Sequence, residues 1–515
     1  MLRGILTIGG WTAASRVLGL LRETLIAALV GAGPLADAFV MANRFPNMFR
    51  RLFGEGAFNA AFVPMFAGLL AKEGQQTAER FAAEAAAVMA FWLIGITVLA
   101  EIFMPQVLAV LLPGYVADAD EFALVVALAR ITFPYMPLIC LTALWSGVLN
   151  GMNRFAAAAA APVVFNLVSI GCMLGLRHLL PTVGHALALG VSLSGVFQLA
   201  LLLWAVRRAG LVLHWPRLRL SAEVRTLFKR MGPGLMGAGM TQISQQIDIV
   251  IISFLPASTA SVLYFAERVN SLPLGIIGVS VGTALLPTLS RYAQLGQRAE
   301  GHAALNRALE YALALTLPAA LALVAAGRPI IATLYQHGAF DAAATAITAQ
   351  ALGAYAIGLP AFVLLKLLTP PFFAEGDTTT PLRVAILSIV INLALNLAFM
   401  RPLQHLGPAL ASSLSSWINI AVLAALLHRR GLMQWDRRLK RAVPLMAGAG
   451  LVMGGVVWAA DAWIYAPLAA QSLTRLLGLG VVVAAGLLSY GLTGQLIGAF
   501  NLRALRPGRW RNAAK

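Results

Sequence analysis

Apolar runs of about 20 residues follow one another almost from end to end of this 515-residue chain. Such runs have one stable fold. In hydrocarbon every backbone N–H and C=O must find its partner inside the segment, so each run becomes a membrane-crossing helix. Hydrophobic residues make up 60% of the chain and charged residues 11%, and no polar block is long enough to fold as a soluble domain. The N-terminal stretch, with Arg3 ahead of an apolar run that soon meets Arg16, lacks a small-residue cleavage site; it reads as the first membrane helix and not as a removable signal.

The expected fold is an all-α polytopic membrane protein with roughly fourteen transmembrane helices, the first at 6–31 and the last at 474–499. Two of these spans, 37–66 and 261–289, are weakly apolar and are counted because they fall between clear turns. Loop charge supplies the orientation. Arg207, Arg208, Arg217, Arg219, Arg225, Lys229 and Arg230 crowd the sixth connection; Arg291, Arg298 and Arg307 lie in the eighth. Arg429, Arg430, Arg437, Arg438, Lys440 and Arg441 fill the twelfth, and Arg503, Arg506, Arg509, Arg511 and Lys515 the tail. The third connection instead carries Asp118, Asp120 and Glu121. The positive-inside rule then puts both termini and all even connections in the cytoplasm. Most of the net charge of +18 is thereby explained as orientation and contact with anionic lipid, and nucleic acid is not expected as a partner.

The chain also repeats itself. Ala42-Asn43-Arg44-Phe45, Gly54, Gly56 and Pro64 in the second span match Ala266-Glu267-Arg268-Val269, Gly278, Gly282 and Pro287 in the eighth. Pro162 with Asn166-Leu167 in the fifth matches Pro381 with Asn392-Leu393 in the eleventh. An even offset means two six-helix lobes inserted in the same orientation, parallel repeats of the kind that enclose a central cavity. The expected parts are an N-terminal lobe over 1–210, a C-terminal lobe over 225–430, an added helix pair over 441–500 and a basic cytoplasmic tail, 501–515.

Charge inside the spans carries the functional signal. Arg16, Arg22, Glu23, Asp37, Arg44, Arg50, Arg51 and Glu55 sit in the first two spans. Each such group costs about 2.5–3.5 kcal/mol at a bilayer centre, so they belong to a wet cavity or a bundle interior. On an ideal helix Asp37, Arg44, Arg51, Glu55 and Asn59 fall within about 80° of one another, whereas Arg50 points elsewhere unless Pro46 or Gly54 distorts the helix. Arg16 and Glu23 share a face of the first span, and a bend at Gly19 would bring Arg22 to the same cavity. Some of these charges pair off, but arginine is in excess, and an unpaired buried cation is strongly unfavourable. The excess points to an anionic ligand, and the planar guanidinium fork suits phosphate. Arg268, with Glu267 beside it, offers a cation from the second half. Asp248, Asp377 and Asn392 form a candidate cation site, with helix capping the competing role for Asp377. Cys140 and Cys172 read as packing residues, no metal site is expected, and no nucleophile–base pair or nucleotide loop appears. The chain is therefore expected to be no enzyme and to hold no cofactor.

In order along the chain stand Ser15-Arg16-Val17-Leu18-Gly19, Arg22, Gly31-Ala32-Gly33, Asp37-Ala38-Phe39 and Pro46-Asn47. Arg50-Arg51-Leu52-Phe53-Gly54-Glu55-Gly56-Ala57-Phe58 and Phe62-Val63-Pro64 follow. This pattern resembles the MurJ (MviN) lipid II flippases of bacteria, within the multidrug/oligosaccharidyl-lipid/polysaccharide exporter superfamily. Ile131 to Tyr135, Leu149 to Phe155, Arg268 with Pro273 to Pro287, and Gly376-Asp377-Thr378 to Pro381 extend it over nearly the whole chain.

The resemblance implies a V-shaped pair of lobes, with the last two helices grooved for a polyprenyl tail. It implies alternating access in the bacterial cytoplasmic (inner) membrane, by a monomer. The substrate would be an undecaprenyl-diphosphate-linked peptidoglycan precursor, with membrane lipids and the cell-wall synthesis machinery as further partners. Arg16, Arg22, Asp37, Arg50 and Arg268 are implied as headgroup residues. Glu23 and Glu55 are implied gate partners; Arg44 and Arg51 of the polar stripe, and Glu267 beside Arg268, are expected at the gate or cavity from their own positions and not from the resemblance. Energy would come from the membrane potential or from Na+ or H+; a family sodium site is matched here at Asp248 but not clearly in the eleventh span. Two alternatives stay open. A flippase for another polyprenyl-diphosphate glycan shares the diphosphate. A multidrug/cation antiporter of the same superfamily would want an acidic cavity, which the arginine excess disfavours.

Overall fold

The computed structural model describes residues 2–54, 57–212, 218–468 and 472–500. It is helical throughout, with no strand among the described residues. Packing divides it into two units. The first runs to Ser261 and takes in His337–Phe340; the second holds Val262–Gln336 and the chain from Asp341 onward.

The first unit contains α1 (Leu2–Val30), α2 (Pro34–Gly54), α3 (Ala57–Lys72), α4 (Gln75–Ile102), α5 (Met104–Leu111), α6 (Ala119–Thr132), α7 (Tyr135–Gly151), α8 (Ala156–Leu176), α9 (Val183–Arg208) and α10 (Ala222–Ser253). A 3-10 turn at Pro113–Ala117 joins α5 to α6. The stretch expected as one helix over 37–66 is described as two, α2 and α3; Glu55 lies between them, outside the described residues, and so does the tail from 501. α8 packs on α9 and α1, α7 on α9 and α2, and α3 on α7, α4 and α10. A file of stacked rings, Phe58 to Phe62 at 5.1 Å and Phe62 to Phe66 at 5.9 Å, with Phe81 at 5.4 Å from Phe62, fills the α3–α4 seam. Gly147 and Gly151 let α7 lie flush on it, since a β-carbon there would stand 3.0 Å from the Phe62 ring and 2.8 Å from that of Phe66. α10 packs with this unit, so the packing boundary at Ser261 falls later than the repeat boundary near 210–225.

From Val262 onward the second unit contains α11 (Thr259–Gln294), α12 (Arg298–Ala325), α13 (Gly327–Tyr335), α14 (Ala342–Leu368), α15 (Pro370–Ala374), α16 (Thr379–Phe399), α17 (Gly407–Arg429), α18 (Arg437–Ala460), α19 (Ala466–Leu468) and α20 (Ser472–Leu496). α14 packs on α12 and α17, α17 on α16, and α18 on both α12 and α20. The core between them is aliphatic, with Leu309, Leu367, Leu423, Leu427 and Met446 all but inaccessible. At one end of α12 a polar ladder grips the chain that leads into α18. His302 Nε2 donates to the Gly431 carbonyl at 2.9 Å and Asn306 Nδ2 to that of Gln434 at 2.8 Å. Arg307 pairs with Asp436, and Arg438 reaches Glu310 at 2.9 Å. Arg307 also pairs with Glu310.

Among the described residues ten helical segments are long and apolar enough to cross a membrane, and they coincide with ten of the expected spans. Their outer surfaces carry large apolar side chains in the open, among them Phe91, Trp92, Leu476, Leu487 and Leu492. Patches of that extent would drive aggregation in water, whereas a bilayer is their solvent. The other four expected spans correspond to α1, α2 with α3, α10 and α11. All are helical, and they are the ones that carry the candidate site residues Arg16 to Arg51, Asp248 and Arg268.

Candidate functional site

In the first unit α1 packs against α8, and the candidate cations stand on α1 and α2. Asn166 on α8 donates from Nδ2 to the Ser15 carbonyl at 3.1 Å, which seats α1 against α8 one residue before Arg16. Gly19 faces the same asparagine within a continuous α1. Two turns on, Arg22 lies with its Cζ 4.8 Å from the centre of the Phe165 ring and its Nη2 2.6 Å from Glu23 Oε1. The Arg22 side chain is 13% exposed, and its Nε is buried without a hydrogen-bond partner among the described residues. Arg16 is exposed.

On α2, Arg44 is half-buried and its Nε also lacks a hydrogen-bond partner among the described residues. Arg50 donates from Nε to Asn47 Oδ1 at 3.3 Å, and Arg51 from Nη1 to Gln245 Oε1 on α10 at 2.9 Å. Asp248 is half-buried on α10, one turn from Gln245.

Asp37 is placed apart from these cations. It is 1% exposed, and its Oδ1 accepts from the Ser261 N–H at 2.7 Å, in the first turn of α11. A carboxylate there satisfies an orphan donor and complements the positive end of the helix. In this conformation it caps a helix and offers no surface to a headgroup. Beside it the turn after α1 meets His337–Phe340 backbone to backbone: the Ala339 N–H donates to the Ala28 carbonyl at 2.8 Å. Gly31 (φ +77°) faces the Ala339 carbonyl and Gly338 (φ +56°) faces that of Ala28, so that a β-carbon at either would stand 2.6 or 2.3 Å from oxygen. Only glycine fits both the left-handed backbone and the gap.

In the second unit Arg268 is exposed, 4.8 Å over the Tyr264 ring and 3.3 Å from its hydroxyl; Glu267 beside it is exposed too. Asp377 and Asn392 are not brought together. Asp377 sits before α16, accepts from the Thr379 and Thr380 N–H groups at 2.9 Å each, and pairs with Arg430 at 2.5 Å. Hydrogen bonds from Thr380, aided by the Arg430 guanidinium, hold its carboxyl well below the usual carboxylate range. Asn392 lies about 20 Å further along α16, bonded to Ser412 and Ser415 of α17. Physically, the capping geometry that α16 needs at its start wins Asp377. No group of three or more His, Cys, Asp or Glu is placed to hold a metal among the described residues.

A model of the family described as "Lipid II flippase MurJ" matches residues 26–477. The chain belongs to the MurJ family. A probable lipid II flippase MurJ of Rhizobium tropici is 39% identical over 516 residues, covering 98% of this chain and 96% of the relative. Lipid II flippase MurJ of Burkholderia cenocepacia is 34% identical, covering 92% and 93%. Among solved structures, a lipid II flippase MurJ in an inward closed conformation superposes with a TM-score of 0.78 at 24% identity, over 95% of this chain and 98% of that one. An inward-facing MATE-family multidrug transporter superposes at 0.68 with 15% identity, over 81% and 94%. These two show the fold. Sequence reasoning passed over Phe165, Gln245, Ser261 and Tyr264 as partners of the charged groups. Of these, only Tyr264, four residues before Arg268 and so on the same helix face, announced itself by spacing.

Proposed function

We propose that this protein is a flippase of the bacterial cytoplasmic membrane that moves lipid II, the undecaprenyl-diphosphate-linked peptidoglycan precursor, from the inner to the outer leaflet. The observation that carries the reading is Arg22, which still holds an unused buried N–H, in a chain that belongs to the MurJ family. A diphosphate supplies what that group lacks: oxygens that accept from planar guanidinium forks. No bond is made or broken in such a task, and the protein acts as a transporter and not as an enzyme.

We take α1, α2 with α3, α10 and α11 as four further spans. That gives fourteen, two parallel six-helix lobes and an added pair, with both termini and the arginine-rich connections in the cytoplasm. Arg16, Arg22, Arg44, Arg50, Arg51 and Arg268 then serve the headgroup while the polyprenyl tail stays in lipid, and alternating access carries the headgroup across. Glu23 holds Arg22 until an anion arrives. Asp37 is the acidic member of the headgroup set, held here by the Ser261 N–H. A headgroup of about two negative charges is driven outward by an inside-negative potential, worth about 2.3 kcal/mol per charge per 100 mV, and we take that potential as the energy source. Depleting the protein in a host without another such flippase, then supplying wild type or Arg22→Ala, tests the reading. Precursor at the outer leaflet should be lost on depletion, restored by wild type, and not restored by well-inserted Arg22→Ala. Unchanged surface precursor on depletion would overturn it.

A further inference from the structure

A cation inside a membrane protein has two ways to be held. A carboxylate holds it by taking up its N–H donors, and an aromatic face holds it through the ring quadrupole while leaving every donor in the guanidinium plane unoccupied. Arg22 has one of each. Glu23 takes Nη2 at 2.6 Å, and the Phe165 ring lies 4.8 Å beneath Cζ. Only the first of these is competed for by an arriving phosphate. The second persists, since a ring face and an in-plane anion occupy different directions around the same group.

Phe165 packs on a ring that is itself held in place. The ring of Tyr135, on α7, lies 5.7 Å away at an interplanar angle of 49°. Tyr135 is buried, and its hydroxyl donates to Gln198 Oε1 of α9 at 3.3 Å. Gln198 Nε2 in turn donates at 2.9 Å to the carbonyl of Ala161, one turn before Phe165 on α8. The circuit α8–α7–α9–α8 is closed, and Gly195 allows it to close tightly, because a β-carbon there would stand 2.8 Å from Tyr135 Cδ2. The next residue on α8, Asn166, clamps α1 through the Ser15 carbonyl. Two consecutive residues of α8 thus set α1: Asn166 fixes the backbone and Phe165 meets the guanidinium two turns away.

We infer that Phe165 is a positioning residue for headgroup binding, a rigid floor that holds the plane of Arg22 so that its free N–H edge meets a phosphate when Glu23 yields. The inference rests on the flippase reading for its ligand, and it adds a requirement that reading does not contain: the arginine needs an aromatic face as well as a charge. A residue that merely filled space would be replaced without loss by another apolar side chain of similar volume.

The test is equilibrium binding of lipid II to the purified full-length protein in lipid nanodiscs, for wild type, Phe165→Leu, Phe165→Met and Phe165→Trp, and for the first two substitutions in an Arg22→Gln background. Loss of the ring face should weaken binding about 2- to 30-fold, the range expected for a cation–π contact from exposed to desolvated. Phe165→Trp should retain wild-type affinity, and in the Arg22→Gln background neither Leu nor Met should weaken binding further. Should Phe165→Leu fail to fold, Phe165→Met removes the ring with a more adaptable side chain. Equal affinity for the ring-less variants and wild type would overturn the inference while leaving the flippase reading intact. So would a loss of the same size with and without Arg22. No binding by wild type would remove both together.

Discussion

Gly338→Ala isolates what the backbone contact beside Asp37 is worth. The new β-carbon would stand 2.3 Å from the Ala28 carbonyl oxygen, a separation no packing tolerates, so the turn must withdraw. Withdrawal breaks the Ala339 N–H to Ala28 bond, worth about 0.5–1.5 kcal/mol net. Holding alanine at φ +56° adds about 1–2 kcal/mol of strain. Gly296→Ala is the matched control, since Gly296 has φ +68° but nothing within 4 Å of its added β-carbon. It carries the strain alone. The expected order in a thermal unfolding scan of the purified protein is wild type, then Gly296→Ala, then Gly338→Ala, with about 0.5–1.5 kcal/mol between the last two. Gly31→Ala should resemble Gly338→Ala, and because both break one contact the double variant should lose less than the sum of the two. A Gly338→Ala protein that melts with the Gly296→Ala control, or strict additivity of Gly31→Ala and Gly338→Ala, would refute the reasoning.

Other outcomes follow from single contacts. Asp37→Ala strands the buried Ser261 N–H and should cost about 1–3 kcal/mol, whereas Asp37→Asn keeps an acceptor there and should melt closer to wild type; the reverse order would exclude the capping role. Glu310 is buried between Arg307 and Arg438, so Glu310→Ala should cost about 3–5 kcal/mol in the same scan. Arg438→Ala, at a side chain 64% exposed, should cost under about 1 kcal/mol. The depressed Asp377 carboxyl contributes stability that is complete above the ordinary carboxylate value of about 4 and is lost as pH falls through its lower folded value. The gap in melting temperature between wild type and Asp377→Asn should therefore stay constant from about pH 8 to 5 and close only below about pH 4; closure near neutrality would contradict the assignment.

Helicity and the ten apolar spans were legible because lipid imposes one rule on every residue of a run. The polar spans were legible as exceptions to it. What the wheel could not show was where each side chain finds its partner. Arg51 turns to Gln245, 194 residues away in sequence, and Asp37 to Ser261, 224 residues away. Contacts of that span leave no periodic trace. Asp377 was read two ways, and its capping of the Thr379 and Thr380 N–H groups decides it, because a local bond to the backbone needs no rearrangement elsewhere. Phe165 was hidden for a different reason: an aromatic in an apolar helix is the expected filling, and its use by Arg22 depends on α1 lying alongside.

The ladder along α12 gives the last two long helices a history. In sequence they read as an appendage, added after two repeats that could have stood without them. Yet α12 presents His302, Asn306 and Glu310 at every fourth position to receive the chain entering α18. A protein cut before Arg437 would keep a buried acid whose outer partner was gone, and would be worse off than one that had never acquired the pair. The dependence runs both ways: without α18 Glu310 loses Arg438, and without Glu310 the start of α18 loses an anchor.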